Sequence, residues 1–321
     1  MRVAGLTVVM LTTALIIFTL AVPMGRTTPA PASAQIEITP GPVRSRVAQN
    51  PAPAVLDPST AKRPAAASPE TIQDDWQIIT LADQRVGFSH TKAERFLRDN
   101  QEIIRTTTDE KMKILRSGDP LEIGVRLLTE ETADGGLLGY ELQIDNPPAA
   151  PTRAVGRVNG NRLDIRTTVA GGTRQSSIVW RQEIKSPAWQ DRLLRDTLLQ
   201  PGAHLKYETL SPEFSRVASV NLNVGDYREV RLFDRSRKSL LRIRAVNSIT
   251  PETPVTLYVD TSGAVVKTET QLLGKPLVTY AVPAEEALKE ISGEGFDIGL
   301  ESLIKIDPPM RGAHRTKRAV Y

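Results

Sequence analysis

The sequence predicts a mainly β protein: a large curved antiparallel sheet or half-barrel with one or two packed helices, following an N-terminal membrane helix and a disordered linker. Three observations support this. Short runs rich in Val, Ile, Thr and aromatic residues recur from Trp76 to Val282. Turn signals such as Asn159-Gly160 and Ala133-Asp134-Gly135-Gly136 punctuate them. The first 72 residues share neither pattern.

Between Arg2 and Arg26 there is no charged residue, and Val3 to Met24 is apolar but for threonines and Gly5. About 20 such residues span the hydrocarbon core of a bilayer. A secretory signal has a shorter apolar region, roughly 7–15 residues, followed by a small-x-small cleavage site. Ala32-Ser33-Ala34 is such a site, but it lies well beyond the apolar run. Residues 1–26 therefore read as a transmembrane anchor, with a cleaved signal peptide as the alternative. Either places the rest outside the cytoplasm, in the periplasm or at the cell exterior, and secreted if cleaved. Residues 27–72 hold Pro29, Pro31, Pro40, Pro42, Pro51, Pro53, Pro58, Pro64 and Pro69 and few large apolar side chains. Such a stretch buries too little surface to offset its ordering entropy and reads as a Pro/Ala-rich disordered linker.

A β-rich domain is expected over 73–291. Its first strands are Trp76–Leu81 and Arg85–Phe96, with a turn at Asp83-Gln84. Leu121–Glu131 and Leu137–Ile144 flank the Ala133–Gly136 turn. Arg153–Val158 and Arg162–Val169 flank Asn159-Gly160, and Gly171-Gly172 leads into Gln175–Gln182. One helix interrupts the series. Ser186 is its expected N-cap and Pro187 its first residue. Trp189, Leu193, Leu194 and Leu198 form its apolar face, and Pro201-Gly202 stops it.

Strands then resume at His204–Leu210, Val217–Val224, Arg228–Phe233, Ser239–Val246, Val255–Asp260, Ala264–Leu272 and Leu277–Val282. Ala218, Val220, Leu222 and Val224 alternate with Ser219, Asn221 and Asn223, a strand with one wet face. Pro283–Ile291 reads as a short helix. Residues 292–321 form a C-terminal extension with a further strand within 296–307. About a dozen strands with short connections argue for an antiparallel sheet, strongly curved or closed.

The chemistry-bearing residues are sparse. The 321-residue chain has no cysteine, so disulfides, thiolate metal sites and a cysteine nucleophile are excluded within it. A net charge of +4 with mixed signs gives no electrostatic footprint for nucleic acid. His90, His204 and His314 have no metal-pair spacing. Ser89 and His90 are adjacent on a strand and so face opposite sides. No nucleophile elbow, P-loop or dinucleotide fingerprint occurs. No catalytic residue, no cofactor-binding residue and no metal ligand is therefore assigned, and the expected chain is not an enzyme. Trp76, Trp180 and Trp189 read as core anchors. The basic run Arg311, His314, Arg315, Lys317 and Arg318 reads as a solvated linker.

Two stretches together resemble a known family. One is Trp76-Gln77-Ile78-Ile79-Thr80-Leu81 with Arg85-Val86-Gly87-Phe88-Ser89-His90. The other runs from Phe296-Asp297-Ile298-Gly299 through Leu303-Ile304-Lys305-Ile306 to His314-Arg315-Thr316-Lys317-Arg318-Ala319-Val320-Tyr321. They are similar to the N-terminal, non-catalytic β-rich region of exported bacterial transglutaminase-like proteins. That family's core carries a Cys-His-Asp triad. A chain without cysteine can supply no part of it, so 292–321 would be a lead-in to a missing catalytic domain. The resemblance implies a membrane-anchored extracytoplasmic module that binds or positions a protein partner or that missing core. Tyr258-Val259-Asp260-Thr261-Ser262-Gly263-Ala264-Val265-Val266-Lys267 also resembles a late turn of lipoprotein carriers. That likeness implies the alternative function, a half-barrel carrier of lipid or another hydrophobic ligand.

Overall fold

The computed structural model describes residues 68–197, 199–291 and Asp297. In chain order the elements are β1 (Glu70–Leu81), β2 (Gln84–Arg98), β3 (Gln101–Arg116), β4 (Asp119–Thr132), β5 (Leu137–Asp145), β6 (Thr152–Asn159), β7 (Arg162–Val169) and β8 (Gly172–Val179). Helix α1 (Trp189–Asp196) follows. Then come β9 (His204–Ser211), β10 (Arg216–Arg231), β11 (Arg237–Asn247), β12 (Val255–Val259), β13 (Val265–Leu272), β14 (Lys275–Val282) and helix α2 (Ala284–Ala287).

All fourteen strands form one antiparallel sheet in the order β8-β7-β6-β5-β4-β3-β2-β1-β14-β13-β12-β11-β10-β9. Each half is a meander of short connections, several of them two-residue hairpins. Ala82-Asp83, Asp99-Asn100 and Ser117-Gly118 place both turn residues at positive φ, the geometry that matches strand twist. The expected turn at Asp83-Gln84 therefore sits one residue earlier. A long-range strand pairing joins the halves: β1 lies on β14, with Trp76 opposite Val282 and Leu81 opposite Leu277.

The sheet rolls without closing through β8 and β9. The segment between them bridges the gap instead. Lys185 pairs on one side with Gly136, in the β4–β5 turn, and on the other with Thr209 of β9. Trp180 and Ile184 join Leu127, Tyr140 and Leu163 of one half and Leu210 of the other in a single apolar cluster. A second cluster under α1 unites Leu194 with Leu222, Ile243, Leu257 and Val265. A third caps one end with Ile79, Leu81, Met112, Ile114 and Leu277.

Several expectations need correction. β1 begins at Glu70, inside the stretch 27–72 assigned to the linker, because Glu70 and Thr71 pair with Arg95 and Glu94. β3 is a 16-residue strand that the sequence pattern does not predict. Its alternate residues Thr106, Thr108 and Glu110 are polar yet buried, so no apolar period marks it. Helix α1 starts at Trp189, not Pro187. Its N-cap position is Ala188, which makes no side-chain capping bond, while Ser186 accepts from the Trp189 N–H through its carbonyl. The buried residues of α1 are Gln190, Asp191 and Leu194 rather than an apolar stripe, and Leu198 lies outside the described residues. The second helix is confined to Ala284–Ala287. The expected strand within 296–307 and the N-terminal anchor lie outside the described residues, Asp297 apart. Among the described residues no helix is long and apolar enough to cross a membrane.

Candidate functional site

Alternation along each strand gives the sheet two faces. The inner face is unusually polar at mid-height. Gln77 of β1 faces Ser89 of β2, and Ser89 faces Glu110 of β3. Asp75, Thr91 and Thr108 form the next row, and Thr91 and Thr108 share a hydroxyl–hydroxyl bond of 3.2 Å. Thr268 and Thr279 do the same at 2.7 Å on the other half. All are buried. Both amide atoms of Gln77, 2% exposed, lack a hydrogen-bond partner among the described residues, which is unusual for a buried side chain. Burial pushes the Glu110 carboxyl up to about 8, and the Ser89 hydroxyl offsets part of that.

Helix α1 is tied to this layer by two ion pairs. Arg192 donates to Glu131 at 2.7 Å and to the Ala133 carbonyl at 2.9 Å. Arg195 donates to Asp75 at 2.8 Å. Glu131 is fully buried, and desolvation raises its carboxyl despite Arg192. Two glycines admit the helix. A Cβ on Gly135 would lie 2.0 Å from the Trp189 ring, and one on Gly263 would lie 2.2 Å from the Leu194 carbonyl. Beside α1, Tyr207 bonds Gln190 and lines a cavity of about 40 Å³ with Ser211, Glu213 and Asn247. That is room for a few waters. Desolvation raises the Glu213 carboxyl to about 7.

The outer face carries a groove of about 820 Å³. It forms where the tip of the β10–β11 hairpin lies over the β1–β14 seam. Val230 and Leu240 of that hairpin pack on Val266 of β13, with Leu232 and Tyr258 alongside. Phe233 at the tip lies 5.9 Å from the Tyr280 ring. Lys267 sits over Tyr258 and Tyr280 at 5.6 and 5.1 Å and pairs with Glu269 at 2.6 Å. The apolar wall of the groove is Trp76, Leu232, Phe233, Val266, Val282 and Pro283. Its rim is acidic: Asp74, Asp234, Glu285 and Glu286 against Lys238. Asp75 is neutralised by Arg195, and Asp74 bonds His90 at 2.8 Å.

The chemistry-bearing residues singled out in the sequence are not brought together. His90 stacks on Trp76 at 3.9 Å on the outer face while Ser89 is buried on the inner one. His204 contacts Asn223 at 2.8 Å near the far edge. His314 and the C-terminal basic run lie outside the described residues. No group of His, Asp and Glu able to hold a metal occurs among the described residues. Of the tryptophans, Trp180 is a core residue, whereas Trp76 is half-buried and lines the groove. Sequence reasoning missed the groove because its walls come from β1, β10–β11 and β13–β14, which only the long-range pairing unites.

No protein-family model matches the chain, and no curated protein does. Among solved structures it is similar to a beta-barrel-like protein of domain of unknown function DUF1849 from Brucella abortus. The identity is 10% and the TM-score 0.44, over 65% of this chain and 94% of that one. It is also similar to a DUF1089 family protein from Pseudomonas aeruginosa, at 14% identity and TM-score 0.30, over 55% of this chain and 87% of that one. These are not transglutaminase-like proteins, and the resemblance to the transglutaminase-associated region is corrected accordingly. The Trp76…His90 pattern has a local cause: the two residues are register partners in the β1–β2 hairpin and stack on each other.

Proposed function

We propose that this β-barrel-like domain binds a hydrophobic small molecule or single-chain amphiphile in the groove between the β10–β11 tip and the β1–β14 seam. The carrying observation is the groove itself: about 820 Å³, within the range typical of ligand sites, roughly 300–1,000 Å³. Its wall is aromatic and aliphatic, and Phe233 stays 39% exposed at its mouth. The acidic rim selects the head group. A phosphate or carboxylate there would meet like charge, whereas an amine or hydroxyl would find acceptors. The ligand is thus an apolar body with an uncharged or cationic head. In this reading the domain carries or senses its ligand without transforming it. Residues 1–26 hold it at the outer side of a membrane, where such amphiphiles partition.

The test is photo-crosslinking in cells expressing the whole chain, with alkyl-diazirine probes bearing either an amine or a carboxylate head. The amine probe should label peptides from 230–238 and 276–286, and Phe233→Asp should abolish that labelling. Labelling that ignores Phe233→Asp, or that favours the carboxylate probe, would refute the assignment.

A further inference from the structure

The two free edges of the rolled sheet are treated differently. At the β9 edge, the Lys185 N–H donates to the Glu208 carbonyl and the Lys185 carbonyl accepts from Leu210. At the β8 edge no described residue makes an outward backbone bond. The strand has few of the usual guards. Gly-Thr-Arg-Gln-Ser-Ser-Ile-Val contains no proline and one charge, and it pairs with β7 without a bulge from Val169↔Gly172 to Arg162↔Val179. Seven of its eight residues are exposed, Val179 at 74%. The Trp180 N–H turns back to the Asn161 carbonyl. Alternation then directs the N–H groups of residues 173, 175, 177 and 179 outward.

Charge gathers beside this edge. Strands β6, β7 and β8 hold Arg153, Arg157, Arg162, Arg166 and Arg174 against Asp164. Five positive charges less one negative give +4, which equals the net charge of the whole chain. Register puts Arg153, Arg157, Arg162 and Arg166 on one face, where three of them line an outer groove of about 720 Å³. Arg157 is paired with Glu141 and Arg162 with Asp164. Arg153, Arg166 and Arg174 have no ion pair among the described residues.

We infer that the β8 edge docks an extended, acidic polypeptide segment, which adds as a fifteenth strand and lays alternate carboxylate side chains over the arginine face. Main-chain bonds to the outward N–H and C=O groups supply affinity, and the arginines supply selectivity. A second copy of this chain is the poorer occupant, since antiparallel β8–β8 pairing would set two arginine faces side by side.

The probe is a labelled eight-residue peptide of alternating Glu and Val, matched to the length of β8. Its control has the same composition plus two prolines, which forbid strand pairing. Fluorescence anisotropy on the whole chain should show binding of the first and not the second. Ser177→Pro removes an outward N–H while leaving the β7 ladder, and should weaken binding by about tenfold or more. Arg166→Glu should weaken it and flatten its dependence on salt. Unchanged circular dichroism for both variants shows that the sheet survives, and Arg166→Glu keeps the test valid if Ser177→Pro misfolds. Equal binding of the proline control, indifference to Ser177→Pro in a folded variant, or preference for vesicles of anionic lipid over the peptide would overturn the inference.

Discussion

Glu110→Gln tests whether the inner face is as dry as the fold makes it. Glu110 is buried beneath β3, and desolvation lifts its carboxyl from 4.5 to about 8. The folded state therefore holds this proton more tightly than the unfolded chain. The stability that this confers is complete below pH 4.5 and is lost as pH rises toward 8. Integrated over that window the loss is about 5 kcal/mol, and about 3 kcal/mol of it has gone by pH 7. Glutamine keeps the shape and cannot ionise. Urea unfolding followed by fluorescence of Trp76, Trp180 and Trp189 would measure both proteins at pH 4.5, 7 and 8.5. The wild type and variant should be similar at pH 4.5, and the variant should be the more stable by several kcal/mol at pH 8.5. Glu213, raised to about 7, contributes a slope of the same sign in both proteins and cancels in the difference. Parallel pH curves for the two proteins would refute the buried, desolvated placement of Glu110.

Three further outcomes follow from the same structure. Arg192→Ala strands the buried Glu131 carboxylate and should cost about 3–5 kcal/mol of stability, measured by denaturant midpoint; replacing both partners by leucine should recover most of it. Gly263→Ala forces a side chain at φ +79 into the Leu194 carbonyl and should cost about 2–4 kcal/mol, whereas Gly274→Ala, at φ +72 with open space around it, should cost about 1 kcal/mol; thermal melting separates the two. Hydrogen bonds from Arg98 and Arg105 hold Glu130 down to about 2. The stability that they confer is present above pH 4.5 and is lost as pH drops through 2, screened in part by solvent at the half-exposed arginines, so Arg105→Ala should shallow the acid limb of the unfolding curve.

Where burial and chemistry agree, the sequence alone reveals the structure. The alternation of Ala218, Val220, Leu222 and Val224 marks the inner face of β10, and all four are buried. The Gly135-Gly136 turn falls at a hairpin, and the expected Asn159-Gly160 turn sits one residue later, at Gly160-Asn161. Legibility ends where polar residues face inward. Thr106, Thr108 and Glu110 hide β3 because hydroxyl-to-hydroxyl bonds and a neutral carboxyl replace the apolar period a strand normally shows. Gln190 and Asp191 hide the buried side of α1 in the same way. The groove escapes for another reason. Phe233 and Trp76 lie 157 positions apart in the numbering, and only the β1–β14 pairing sets them on one wall.

The groove between the β10–β11 tip and the β1–β14 seam is the proposed ligand site. Organic extraction of the purified whole chain, followed by mass spectrometry of the small molecules released, tests it beside Ala284→Trp, a substitution that places a large side chain on the groove lining. A stoichiometric amphiphile, with an uncharged or amine head, should leave with the wild type and be absent from the variant. Equal recovery from both proteins, or a wild type that releases no small molecule, would contradict it.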